Sequence, residues 1–197
     1  MNNTDHIKLK ISEPTDRDIT ILKWQLNTDN VFVSRIVERC EFGFPRIVLL
    51  RPLTEDKDGN SSVEYTAVAN PLWLTCPYLN DRIHELENQG YIQKISEFIN
   101  NDLVLKRQMA TAHAHFYYLR KKNYERFTNS SFPIEDYDLF NRGIGGIEDT
   151  TSLKGLQVQF AHYRIFKDNI AGKITCNLLH NKVDCDEARC RNAIERT

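Results

Sequence analysis

The sequence predicts an α+β protein in which a small antiparallel sheet, near residues 31–75, packs against four or five helices that follow it. Apolar and β-branched runs are crowded between residues 31 and 75, whereas helical spacing of apolar residues dominates from residue 77 onward. Strands grouped ahead of helices are typical of α+β proteins. Of the 197 residues, 41% are hydrophobic and 27% are charged, which is the composition of an ordinary folded domain.

The first elements have clear start signals. Thr15 and Asp18 form a capping pair ahead of apolar residues on one face, which predicts a helix over 15–26. Four β-rich segments follow closely enough to predict one antiparallel meander, with the second strand apolar on both faces and therefore central. The predicted strands are 31–39, 47–50, 63–69 and 72–75, with a solvated loop at 55–62.

A helix is predicted to begin directly after the last strand. Pro77 suits the first helical position, which makes Cys76 the N-cap. A thiol at a helix N-terminus is expected to have a lowered pKa, because the helix dipole favours the thiolate. Periodicity predicts the other helices near 92–99, 102–126, 153–167 and 172–180, and a core that includes Trp73, Leu74, Leu79, Ile83, Met109, Phe116, Leu156 and Phe160.

The chain divides into a mobile polar arm over 1–14, one domain over 15–182 and a charged tail over 183–197. The formal net charge of −1 argues against a dedicated nucleic-acid surface. No apolar run approaches about 20 residues, so no membrane span is predicted. The first residues have no export-signal pattern, which favours a cytoplasmic protein with reduced thiols.

Four cysteines form the leading candidate site. Cys40 follows one predicted strand and Cys76 ends another, while Cys185 and Cys190 form a C-x4-C pair in the tail. Antiparallel neighbours can bring the first two together, and four thiolates are a common ligand set for zinc or an iron–sulfur cluster. The alternative is that the first two are small buried hydrophobic residues and the tail pair is free.

Two histidines are candidate catalytic residues. His113 and His162 lie beside the apolar stripes of two different helices, so they can meet over a cleft and act as acid and base near neutral pH. The alternative is that each is a structural hydrogen-bond donor at a helix seam.

A glycine cluster over 143–147 is a candidate anion site. Backbone N–H groups of Gly145 and Gly146, with Arg142 beside them, can approach a small anionic cofactor or substrate ahead of a helix. The alternative is a tight turn that needs positive φ. The cluster has neither the spacing of a Walker loop nor that of a dinucleotide fingerprint.

Several of these motifs together resemble a bacterial family catalogued as domain of unknown function 501. They are Cys40-Glu-Phe-Gly-Phe-Pro, Trp73-Leu-Thr-Cys-Pro-Tyr-Leu, Ala112-His113, Gly143-Ile-Gly-Gly-Ile and Ala161-His162, in this order. The resemblance runs from about Ile19 to Gly172. It implies no established activity, although some relatives are encoded beside an exopolyphosphatase. The family pattern has a Lys-Cys-Leu-His run where this chain has Lys154-Gly155-Leu156-Gln157.

The leading hypothesis from the sequence is therefore a metal–thiolate protein with an adjacent histidine-lined cleft. A second hypothesis is a hydrolase of phosphate compounds, since Cys76 and Arg82 have the spacing of the phosphate loop of cysteine-dependent phosphatases. A third is a non-catalytic interaction domain.

Overall fold

The computed structural model describes residues 11–51, 53–56, 63–66, 68–128 and 142–195. Within these residues, strands come first and most of the helices follow, which confirms the α+β prediction. The strands are β1 (Val33–Arg39), β2 (Pro45–Leu50), β3 (Leu53–Asp56), β4 (Val63–Thr66) and β5 (Leu72–Leu74). The helices are α1 (Asp16–Leu26), α2 (Pro77–Asn88), α3 (Tyr91–Asn100), α4 (Leu103–Thr128), α5 (Leu156–Phe166), α6 (Ile170–Leu178) and α7 (Asn192–Glu195).

The main sheet has the antiparallel order β1-β2-β5, so β2 is central, as its apolar sequence predicts. The single meander is a wrong prediction. Among the residues that the structure describes, β3 and β4 pair with each other as a separate two-stranded ribbon, because β5 returns to occupy the second edge of β2. Part of the predicted loop, residues 57–62, lies outside the described residues.

Helix starts agree with the predicted chemistry. Thr15 and Asp18 form a complete capping box at α1, and Pro77 occupies the first turn of α2 after Cys76. Each device satisfies or avoids one of the amide donors that a helix start leaves without partners.

The core lies between the sheet and the helices and includes seven of the eight predicted residues. Trp73 is the exception, with 49% of its surface exposed. Successive strand residues face opposite sides, so Leu72 and Leu74 are buried and Trp73 faces outward. At Gly172 the α5 and α6 helices approach so closely that a Cβ would lie 2.1 Å from the Gln159 carbonyl oxygen.

The two flanking segments are not separate from the domain where they are described. Ser12 forms an antiparallel bridge with Ile36 of β1, while residues 1–10 lie outside the described part. The tail folds back as a short 3-10 helix (Arg189–Arg191) followed by α7, which packs against α1. Among the helices that the structure describes, none is long and apolar enough to cross a membrane.

Candidate functional site

The cysteines of the predicted metal site, Cys40, Cys76, Cys185 and Cys190, gather at one end of the sheet; we call them the thiol cluster. Cys40 begins the β1–β2 turn, where its N–H donates to the Phe44 carbonyl at 2.9 Å. Cys76 and Cys190 are each 6% exposed. Cys40 and Cys190 belong to one small apolar cluster with Ile21 and Phe44.

Neighbouring thiols lie close enough to affect the ionisation of Cys76 and Cys190. Burial raises the pKa of Cys76 to about 11, and Cys190 and Cys185 raise it further. Burial also raises the pKa of Cys190, and Cys40 and Cys185 add to that effect. A neighbouring thiolate therefore makes the thiolate of Cys76 or Cys190 more costly to form.

The expected low pKa of Cys76 is thus wrong. The helix N-terminus does act in the expected direction, because a backbone hydrogen bond at Leu79 lowers the pKa of Cys76. Burial in apolar surroundings is the larger effect, since it disfavours the charged form of the thiol.

Polar contacts hold the tail cysteines in place. The Asp184 carboxylate accepts hydrogen bonds from the Glu41 N–H at 2.9 Å and from the Arg46 guanidinium. Arg189 pairs with Asp81 of α2 at 3.0 Å. Gln25 of α1 donates to the Cys190 sulfur at 3.2 Å. The tail is therefore anchored to three separate parts of the fold, which argues against the alternative that its cysteine pair is free.

A buried cation lies beside the thiol cluster. Arg46 is 3% exposed and lowers the pKa of Cys76, opposing the effect of burial. Its guanidinium binds Asp184 and lies 3.6 Å from Glu38. Positive charge at this position would offset part of the negative charge of a thiolate group.

The thiol cluster is not arranged as a ready metal site. Among the described residues, which include all five cysteines, no three or more His, Cys, Asp or Glu side chains form a group that could hold a metal ion. The four-thiolate metal site therefore stays a prediction. Cys176 lies apart, with its Sγ 3.4 Å from Asn181 Oδ1.

Arg82 does not support the phosphatase hypothesis. Its side chain is 47% exposed and pairs with Glu85 on the same helix at 3.2 Å. Together with the raised pKa of Cys76, this leaves neither a reactive thiolate nor an arginine directed at a phosphate.

His113 and His162 are both buried. The His113 Nδ1 accepts a hydrogen bond from the Ile144 N–H at 3.1 Å, while its Nε2 has no partner among the residues that the structure describes. His162 is 0% exposed, and within the same described ranges neither of its ring nitrogens has a hydrogen-bond partner. Burial lowers the pKa of His162 to about 3, with His115 and His113 adding to the effect.

Two further residues join this group, and sequence reasoning missed both. Asp168, just after α5, binds the His115 ring through one carboxylate oxygen. Its other oxygen lies 3.6 Å from His162 Nδ1, which is beyond hydrogen-bond distance. His115 and Asp168 are 53 residues apart in the chain, so no local spacing could have indicated the pair. A fully enclosed and neutral His162 is poorly placed to exchange protons with a substrate.

The glycine cluster uses its amides internally. Gly145 donates to the Asn70 side chain at 3.0 Å, Gly146 donates to the Gly143 carbonyl at 3.1 Å, and the Ile144 N–H is bound to His113. Gly145 and Gly146 have φ values of +84° and +73°, the tight-turn geometry that the alternative reading predicts. Arg142 pairs with Glu148 at 2.9 Å, so the site offers little to an anion.

With this geometry established, comparison with known families gives one match. A family model described as "Protein of unknown function (DUF501)" matches residues 36–177, well over half of the chain. The chain belongs to the DUF501 family. The matched range includes Cys40, Cys76 and both candidate histidines, while Cys185 and Cys190 follow it in the chain. Neither a curated protein nor a solved structure matches the chain.

The segment Lys154-Gly155-Leu156-Gln157, in which this DUF501 protein differs from the family pattern, lies at a groove. Gly155 and Gln157 line a groove of about 540 Å³ with the exposed Trp73. Gln157 donates to Glu87 at 3.1 Å, and Glu87 also accepts from the Leu156 N–H at 2.7 Å. Glu87 thus provides the acceptor at the start of α5 that glycine at the N-cap lacks.

Proposed function

We propose that the protein binds one zinc ion through Cys40, Cys76, Cys185 and Cys190. The observation that carries this proposal is that thiols from three distant parts of the chain lie near one another: Cys40 and Cys190 share one apolar cluster, and Cys185 and Cys190 both raise the pKa of Cys76. Soft sulfur donors of this number suit zinc, and binding would release the thiol protons. The same donor set would suit an iron–sulfur cluster, which visible absorbance distinguishes.

The chain's own residues would favour the charged form of the site. Arg46 and the N-terminus of α2 lie beside Cys76 and would offset negative charge on the sulfurs. The ion would join the β1–β2 turn, the start of α2 and the segment over 184–190. Zinc at this position would act mainly on stability, because it would add a further link between elements that a small apolar cluster and a few polar contacts already connect.

Metal analysis of protein purified without chelator tests the proposal. About one equivalent of zinc is expected, and less than about half an equivalent of zinc or iron would count against it. Serine substitution of each proposed ligand should lower the amount of bound zinc. It should also reduce the difference in melting temperature between zinc-loaded and chelator-treated protein. The four variants are Cys40→Ser, Cys76→Ser, Cys185→Ser and Cys190→Ser. Cys176→Ser is the matched control, because this thiol lies outside the cluster. Equal loss of zinc in the control would contradict the proposed ligand set.

A further inference from the structure

A groove on the opposite edge of the sheet from β5 is lined by three arginines, and neither of the preceding hypotheses uses it. It lies between the β1–β2 strands, the C-terminal part of α4 and the segment before α1. Its volume is about 480 Å³, within the range of small-molecule sites. The residues that matter to the argument are Arg35, Arg51, Arg126, Glu13, Asn123 and Phe127.

The charges lining this arginine groove do not balance. Glu13 pairs with Arg35 at 2.7 Å, and the Glu13 side chain is 78% exposed. Arg51 and Arg126 have no carboxylate partner within the described part of the chain. Within the described residues, these two exposed guanidinium groups line the groove without a carboxylate partner, an arrangement that an anionic ligand would stabilise.

Arg126 lies in α4 and Arg51 directly follows β2, and both residues are exposed. Arg51 follows β2, where its Nε donates to the Val33 carbonyl at 3.1 Å and its guanidinium lies 6.0 Å from the centre of the Phe127 ring. Asn123 of α4 donates to the Leu50 carbonyl at 2.8 Å, which fixes α4 against the end of β2. Little side-chain freedom remains to be lost at Arg51 when a ligand binds.

We infer that the arginine groove binds the terminal phosphate dianion of a small molecule. Two guanidinium forks without a carboxylate partner in the described residues match a charge of −2, and a phosphate presents three oxygens that can accept hydrogen bonds in the bidentate manner arginine favours. The third fork, on Arg35, becomes available if Glu13 moves aside. The inference does not depend on metal binding, because the groove contains none of the cysteines.

Isothermal titration of the full chain with inorganic phosphate and with glycerol phosphate tests the inference and separates a free phosphate from a phosphate ester. Arg51→Gln and Arg126→Gln should each weaken binding about tenfold or more, as expected for loss of a charged hydrogen bond. Glu13→Gln should tighten binding, because it releases Arg35. Arg107→Gln is the matched control: it makes the same charge change on an exposed residue of α4, roughly 28 Å away along the helix.

Three outcomes would overturn the inference. The first is absence of saturable binding of either compound at about 10 mM. The second is equal weakening by Arg107→Gln, which would indicate a general charge effect. The third is tighter binding of a single-stranded RNA that depends on the same arginines, which would identify a nucleic-acid surface instead.

Discussion

Protonation of His162 should make the protein sensitive to acid well above the range in which carboxylates titrate. The imidazole is fully buried, and burial lowers its pKa from the ordinary value of 6.5 to about 3. Between these two values the unfolded chain binds a proton that the folded chain does not. Stability is therefore fully present above about pH 6.5 and is lost as the pH falls toward about 3.

The size of the loss follows from the two pKa values. At about pH 5, which is roughly 1.5 units below the pKa of the unfolded imidazole, the contribution of His162 to the free energy of unfolding should have fallen by about 2 kcal/mol. His162→Leu removes the titrating group and keeps an apolar side chain of similar size between the Phe116 and Phe166 rings. In this variant the drop between about pH 7 and pH 5 should be smaller than in the wild type by about 2 kcal/mol.

Urea unfolding at the two pH values measures the effect. Burial also lowers the pKa of His113, and His113 is present in the wild type and in His162→Leu alike. Its contribution to the pH dependence of stability therefore cancels when the two proteins are compared. His180→Gln, which removes an imidazole at an exposed position, is the matched control for the substitution itself. If His162→Leu loses as much stability as the wild type, His162 is not the group that resists protonation, and the reasoning from its burial fails.

Three further substitutions or treatments test the packing. Gly172→Ala should lower the free energy of unfolding in urea by at least about 2 kcal/mol, because its methyl group would force α5 and α6 apart. Lys173→Ala, at the next residue, should change it by less than about 0.5 kcal/mol. Similar values for the two variants would refute the close approach of the helices. Trp73→Ser should change the free energy of unfolding by less than about 1 kcal/mol, while Phe116→Ala should cost about 3–5 kcal/mol; a Trp73 effect of that size would restore it to the core. Cys76 should resist alkylation in the folded protein near neutral pH and react after denaturation, since burial raises its pKa to about 11. Mass spectrometry of peptides locates the labelled cysteines. Rapid labelling of Cys76 in the folded state would argue against its burial.

Local signals predicted what depends on neighbouring residues. Thr15 with Asp18, and Pro77 after Cys76, marked helix starts because capping involves groups only a few residues apart. The place of β3 and β4 could not be predicted in the same way. That β5 rather than β3 pairs with β2 is decided by distant packing, which chain order does not reveal.

For the candidate site too, the sequence predicted what depends on neighbouring residues and missed what depends on distant packing. The prediction that Cys40 and Cys76 end neighbouring strands was wrong, because β2 lies between β1 and β5. The strand ends also gave no indication that the surroundings raise the pKa of Cys76. Desolvation depends on everything packed around a group, so the helix dipole alone predicted the wrong direction. For the same reason the sequence suggested His162 as a reactive base, whereas enclosure leaves it neutral.

The segment over 184–190 also has a consequence for folding kinetics. Its contacts join residues separated by 143, 108 and 165 positions. Contacts this distant in sequence require large loops to close and tend to form after the transition state. Substitutions at Asp184 or Arg189 should therefore accelerate unfolding more than they slow refolding, so that this corner sets how long the native state persists once it has formed.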